Sequence, residues 1–421
     1  MEPKKMKRPD TDIAVVGAGV VGLCCAIALQ RAGYRVVLID RDGVGEGCSK
    51  GNAGHFATEQ VLPLATPGLL GKIPGMLLDP LGPVSIRWSY LHRIAPWLIR
   101  FMLNTRQRPF AAGAQALQSL NQGALAAWQR LLEEVDATDM LRVEGSLLVF
   151  EQQQTLQGYQ PTLAQLRQHG VQAQLLSGDQ VRELEPQLAG RIEHGVLFPE
   201  TGHTANPYRL CQRLASYFRQ LGGQFLQQEV QAVQLTDQGC RLRLADGDWQ
   251  LPQLLLTTGA WSKPFVQQLT GRSLPLDTER GYHLMLPAAA DQLRIPVTSA
   301  ERCFIMTPME EGLRLAGTVE FGGLHKPANM KRAEMLLLHA RALLPTVDER
   351  PGERWMGFRP SLPDSLPVID RAGPRGQVLL AFGHQHLGLT QAALTAELVL
   401  ALQQQKAPAV DLSPFRLGRF S

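Results

Sequence analysis

The chain is 421 residues long, 44% hydrophobic and 19% charged, with a net charge of +4 and an isoelectric point near 8.8. Such a chain buries a large core and divides into two domains of ordinary size, which excludes a disordered protein. Its basic residues are scattered among acids apart from a solvated tail at Lys4, Lys5, Lys7 and Arg8, so no nucleic-acid partner is expected.

The tail and the apolar run at 13–29 imitate a secretion signal. Gly17, Gly19 and Gly22 interrupt that run and Asp10 and Asp12 precede it, so the chain is expected to be cytoplasmic. The run at 13–16, the turn Gly17-Ala18-Gly19-Val20-Val21-Gly22, a helical segment to Ala32 and a second apolar run ending at Asp40 make a βαβ unit. Gly17 permits the tight turn, Gly19 lets a pyrophosphate touch backbone, and Gly22 lets helix and strand pack. The helix N-terminus at Val20 and Val21 then offers N–H groups to phosphates. Asp40 is placed to accept ribose hydroxyls and disfavours a 2′-phosphate, while Arg41 beside it keeps NADP open.

Residues 43–54 are too rich in Gly, Ser and Asn for regular structure, and 61–84 read as an extended excursion. Residues 88–103 are apolar with Arg93 and Arg100 interspersed, 112–135 predict one long amphipathic helix, and 160–185 a second helical pattern. A helix over 207–221 starts at Asn206 and Pro207. Residues 224–245 alternate like a hairpin, with Val230 expected beside the nucleotide. A buried strand at 254–256 leads into Thr257-Thr258-Gly259-Ala260-Trp261. Strands at 282–286 and 312–316, a helix at 331–344, a strand at 378–382 and a helix at 390–403 complete the chain.

Three features favour FAD over NAD. Ser49, Asn52, Ala53 and Gly54 form a small-residue loop that lets backbone approach a bulkier cofactor. Thr258 and Gly259 supply a second backbone turn near the nucleotide. The strand-to-helix turn Gly383-His384-Gln385-His386-Leu387-Gly388-Leu389-Thr390 can aim amides at the flavin edge where charge gathers on reduction. Six cysteines form no C-x-x-C pair and no zinc spacing with histidine, so no metal is expected.

On the fingerprint, Ser49 to Gly54, the turn at 255–261, Trp355-Met356-Gly357-Phe358-Arg359-Pro360 and the turn at 383–390, the chain resembles the FAD-dependent D-amino acid oxidase and glycine oxidase family, with the D-amino acid dehydrogenase small-subunit branch nearest. The resemblance implies an α/β fold: a Rossmann-type FAD-binding domain (10–70, 187–270, 352–415) with an inserted α+β substrate domain on a mixed sheet (71–186, 271–351). It places Arg359 on the substrate carboxylate, which suits a planar guanidinium fork. Tyr282 is expected on the same carboxylate, His55 and His283 beside the pocket, and one of His384 and His386 on the cofactor. The related sarcosine oxidases attach FAD through a cysteine, and none occurs at 359–371, so non-covalent FAD is expected.

The implied reaction is oxidation of a D-amino acid, cyclic ones such as D-proline or hydroxy-D-proline included, to its imino acid by hydride transfer to flavin N5. The alternatives are a glycine or sarcosine-type oxidase using O2, and an FAD-holding subunit of a larger complex. Exposed-looking apolar residues at 62–103 with Lys72, Arg87, Arg93 and Arg100 suggest peripheral contact with the inner membrane and a quinone acceptor; an inter-domain lid is the competing reading.

Overall fold

The computed structural model describes residues 10–71, 82–348 and 350–420. Its centre is a six-stranded sheet in the order Val368–Ala372, Val378–Phe382, Gln253–Leu256, Ile13–Val16, Val36–Asp40, Gln224–Gln227. Every neighbouring pair is parallel except the first. The four inner strands are buried on both faces, and alternate residues feed opposite cores. Ile13, Val15, Val36 and Leu38 pack beneath the helices Val20–Arg31, Ala124–Val135, Pro207–Gln220 and Gly388–Gln403. Ala14, Val16, Val37 and Ile39 face the helix Ser262–Thr270 and a three-stranded antiparallel sheet, Ala232–Thr236, Gly239–Leu244 and Gly247–Leu251.

A second, mixed sheet runs Arg354–Ser361, Asp277–Leu286, Gly312–Phe321, Phe304–Met309, Val297–Ser299, Ser146–Phe150, His194–Phe198, Gln174–Ser177, with Val84–Ile86 beside Gly312–Phe321. The helix Lys331–Leu343 buries Leu336, Ala340 and Leu343 against it.

Four expectations need correction. The helix expected over 112–135 is two helices, Gln107–Asn121 and Ala124–Val135, parted at Gly123, a residue that costs helix stability. The pattern at 160–185 resolves into Gln153–Gln168, the strand Gln174–Ser177 and a helix Gly178–Leu184 whose Ser177 cap accepts a bond from the Gln180 N–H. Gln224–Gln227 joins the parallel sheet instead of the hairpin. His194–Phe198 and Arg354–Ser361, on the nucleotide side of the expected boundaries, pair into the mixed sheet. Residues 72–81, within the expected excursion, and Lys4 to Arg8 lie outside the described residues.

The mixed sheet carries a buried charge cluster. Glu320 accepts from Arg87 Nε at 2.8 Å, from Arg280 Nη1 at 3.3 Å and from the Tyr282 hydroxyl at 2.6 Å. Burial alone would raise its pKa, but these three donors hold it below the usual carboxylate range. Glu320→Gln leaves the arginines uncompensated and should cost about 3–5 kcal/mol in denaturant unfolding; unchanged stability would show that the cluster is not structural.

Three buried histidines make stability depend on pH. Burial, with help from Arg142, pushes His203 down to about 4; burial, with Arg314, pushes His283 to about 3; burial alone pushes His384 to about 3. Each folded pKa lies below the ordinary 6.5, so the unfolded chain binds more protons between about 6.5 and about 3. Stability is complete above 6.5 and falls as pH drops through that window. Calorimetry should find Tm declining there, and a flat profile would contradict the assignment.

Candidate active site

The parallel strands Ile13–Val16, Val36–Asp40, Gln224–Gln227, Gln253–Leu256 and Val378–Phe382 all point their C-terminal ends at one cleft of about 570 Å³. This is where open α/β sheets bind ligands. Gly17 has φ +108, and a Cβ there would sit 2.5 Å from the Thr257 carbonyl oxygen. A Cβ on Gly22 would sit 1.9 Å from the Gly17 carbonyl oxygen. Gly19 opens onto the cleft, with only Ser49 Oγ near it. Ser49 Oγ accepts from the Val20 N–H at 3.0 Å, tying the small-residue loop to the helix N-terminus.

Val20, Val21, Asp40 and Arg41 line the cleft, as do Ser49 and Asn52. Asp40 accepts from the Ala18 N–H at 2.7 Å and from the Asp42 N–H at 2.9 Å, so it fixes the turn while its remaining lone pairs face the cleft. Val230, Thr258, Gly259 and Trp261 line the opposite wall, where the Arg41 guanidinium lies 4.5 Å over the Trp261 ring. Gly259, at φ +54, has open space where a side chain would stand. Gly383, His384, Gly388 and Leu389 close the floor. The cleft fits an extended dinucleotide: fingerprint glycines bare the backbone at one end, and the turn at 383–390 does so at the other. Among the described residues no cluster of His, Cys, Asp and Glu could hold a metal.

Gly22, Ala53, Gly54, Leu387 and Thr390 stand behind the wall. Thr390 Oγ1 accepts from the Ala57 N–H at 2.9 Å, and a Cβ on Gly54 would meet the Thr204 carbonyl oxygen at 2.4 Å. His384 turns away from the cleft, to Thr395 Oγ1 at 3.1 Å, while His386 reaches Gln60 Oε1 at 2.5 Å. Cys48, at the head of the small-residue loop, also lines the cleft, as do Cys211 and Gln228, which were not anticipated. Gln228 follows a parallel strand that sequence alternation disguised as a hairpin; the position after such a strand is the signal that could have found it.

Arg359 lies in the strand Arg354–Ser361, opposite Glu279. Its side chain crosses the neighbouring strand over Gly281, where a Cβ would meet the guanidinium at 2.4 Å. Its Nη1 donates to the Thr318 carbonyl at 3.3 Å, and no carboxylate pairs with it among the described residues. Its charge reaches the cleft. Burial pushes the Cys48 thiol up to about 11 against the pull of this guanidinium, and burial followed by the same guanidinium pushes His386 down to about 4. The turn at 383–390 is tied to this strand through the Gln385 N–H on the Pro360 carbonyl at 3.1 Å.

The other three predicted side chains are committed elsewhere. Tyr282 pairs with Met356, three residues from Arg359, so the alternation of a strand puts the two side chains on opposite faces. The Tyr282 hydroxyl belongs to Glu320, and the structure does not bring it to Arg359. His283 shares the face of Arg359, but its Nδ1 bonds the Gly51 carbonyl at 3.1 Å and its ring stacks on Trp355 at 5.1 Å, holding the small-residue loop to the sheet. His55 is buried between the Gly202 carbonyl (3.2 Å) and Glu59 Oε1 (3.0 Å).

The family described as "FAD dependent oxidoreductase" matches residues 12–402. A D-amino-acid oxidase of Bradyrhizobium diazoefficiens is 35% identical, covering 97% of this chain and 98% of the relative. A D-amino acid dehydrogenase of Vibrio vulnificus is 27% identical over 94% of this chain and 98% of the relative. Among solved structures, the glycine oxidase of Geobacillus kaustophilus superposes with a TM-score of 0.77 at 22% identity, covering 97% of this chain and 98% of that one. The chain belongs to the FAD-dependent oxidoreductase family.

Proposed function

We propose that this enzyme oxidises a small D-amino acid to the imino acid, with Arg359 gripping the substrate carboxylate. The observation that carries this reading is a half-buried guanidinium beside the cofactor cleft, bonded to one backbone carbonyl and paired with no carboxylate among the described residues. Glu279 opposite it attracts the guanidinium but accepts its bond from Ser361, so Arg359 keeps donors free for an anionic ligand, and its fork offers a carboxylate two parallel bonds. The similarity to a D-amino-acid oxidase and to D-amino acid dehydrogenases supports the substrate class.

FAD, when bound, supplies the two-electron acceptor for the substrate's α-hydrogen. The chain's own part is orientation. Gly281 lets Arg359 lie across the sheet, Thr318 fixes one edge of its fork, and the Gln385 tie sets the cofactor turn against its strand. A carboxylate held in that fork has its Cα placed within a narrow range, and such orientation lowers the barrier by prepaying the entropy of alignment. The imine product of an open-chain substrate is hydrolysed by water to a keto acid and ammonia, whereas a cyclic substrate gives a pyrroline.

Arg359→Ala should keep its flavin and lose at least about 100-fold in kcat/KM on the best substrate of a D- and L-amino acid panel, since it removes charge-assisted bonds to the ligand. Activity within a few fold of wild type would remove Arg359 from the site. Anaerobic flavin bleaching by no amine in the panel would instead favour a cofactor-holding subunit.

For the electron acceptor, we propose a quinone, as the exposed apolar helix described below suggests. The 35% identity to an oxidase favours a second reading, direct use of O2. Reduction of a soluble quinone analogue with little peroxide formed under air is the expected result; stoichiometric peroxide would establish the oxidase.

A further inference from the structure

We propose that the helix Leu91–Asn104, with the turn Trp88–Tyr90 before it, docks the enzyme on an anionic lipid surface. One side of this helix is accounted for. Ile94 and Trp97 are buried, Trp97 stacks on Phe101 at 5.1 Å, and the Trp97 indole donates to the Ser361 carbonyl at 3.2 Å. The other side is apolar too, and it faces solvent. Trp88 is 87% exposed and Ile99 54%, with Leu91, Met102 and Leu103 also exposed. Leu91, Ile99 and Met102 recur on one face at helical spacing, and Trp88 extends the row. A helix with two apolar faces has a second surface to bury, and a contiguous exposed patch of this kind marks an interaction site.

Charge identifies the occupant. No Asp or Glu occurs anywhere from residue 80 to residue 132, while Arg87, His92, Arg93, Arg100, Arg106 and Arg108 do. Arg87 is spent on Glu320; among the described residues Arg93, Arg100, Arg106 and Arg108 enter no ion pair. Arg93 and Arg100 stand two turns apart, along the border between the buried and exposed faces. From there their aliphatic stems can cover apolar surface while the heads reach phosphate. An apolar stripe bordered by unpaired arginines, with no acid near it in the sequence, complements a sheet of negative headgroups and acyl chains. A second copy of the same chain would place these arginines against each other. No helix among the described residues is long and apolar enough to cross a bilayer, so this contact lies in the interface plane.

The docked helix is fastened through Trp97 to Ser361, two residues from Arg359. The proposed lipid contact is therefore one helix away from the sheet strand that carries the proposed substrate arginine. The docking itself does not depend on which amine is oxidised.

Flavin-loaded full-length protein should be sedimented with vesicles of phosphatidylcholine alone and with vesicles containing phosphatidylglycerol. Binding to the anionic vesicles, weakened by salt, is expected, together with a blue shift of tryptophan emission that disappears in Trp88→Ser. Ile99→Glu, and separately the pair Arg93→Glu with Arg100→Glu, should each lower the bound fraction at least tenfold while dye-linked turnover stays unchanged. Absence from the anionic pellet at low salt would overturn the proposal. So would equal binding to neutral vesicles by the double-arginine variant. A dimer that Ile99→Glu converts to monomer, without any vesicle binding by wild type, would reassign the stripe to a second copy of this chain.

Discussion

One unpaired guanidinium organises the account. Arg359 is half-buried on a strand whose Phe358 and Pro360 line the cofactor cleft; it bonds one backbone carbonyl and lies opposite Glu279 without an ion pair to it. Elsewhere the same sheet carries buried Arg314, which donates to the Asn52 carbonyl at 2.5 Å and enters no ion pair among the described residues, and one cluster that pairs its cations. On the opposite face Glu320 is wrapped by Arg87, Arg280 and Tyr282, and Arg280 spends its other donors on backbone carbonyls. The closed cluster is architecture; on the other face Arg359 is the cation that the proposed function gives to a ligand.

The sheet reaches this arrangement through small residues. Gly281 and Gly357 face one another across the strand pair Asp277–Leu286 and Arg354–Ser361. A side chain on Gly281 would collide with the Arg359 guanidinium, and one on Gly357 with the Trp355 ring, which would stand 2.0 Å away. Removing two Cβ atoms lets Arg359 and Trp355 lie flat along the sheet. Trp355 then stacks on His283, and His283 holds Gly51 in the small-residue loop. Arg359 and the small-residue loop are therefore set by one continuous packing arrangement, and a neutral, buried His283 is part of what makes it rigid.

Much of this was legible in the sequence. The βαβ fingerprint needs Gly17, Gly19 and Gly22 for steric reasons that any such turn shares, and their spacing places Asp40 without further information. The strand Val378–Phe382 and its glycine turn were visible for the same reason. What was not legible depends on pleat and pairing. Tyr282 reads as a partner of Arg359 until the register shows it paired with Met356. His55 reads as a pocket residue until Gly202 and Glu59 are seen to claim both ring nitrogens. Period-two patterns cannot tell a hairpin strand from the edge of a parallel sheet, so Gln224–Gln227 and the cleft residue Gln228 were missed together. The helix break at Gly123 turned on one residue in an otherwise amphipathic run.

The most direct test of the central claim is a binding titration with an unreactive carboxylate such as benzoate, read by the change in flavin absorption. Wild type should show a saturable perturbation, Arg359→Ala should show none up to concentrations at least about a hundredfold higher, and Tyr282→Phe should bind as wild type does. Equal affinity in wild type and Arg359→Ala would mean that the guanidinium is not where the carboxylate sits.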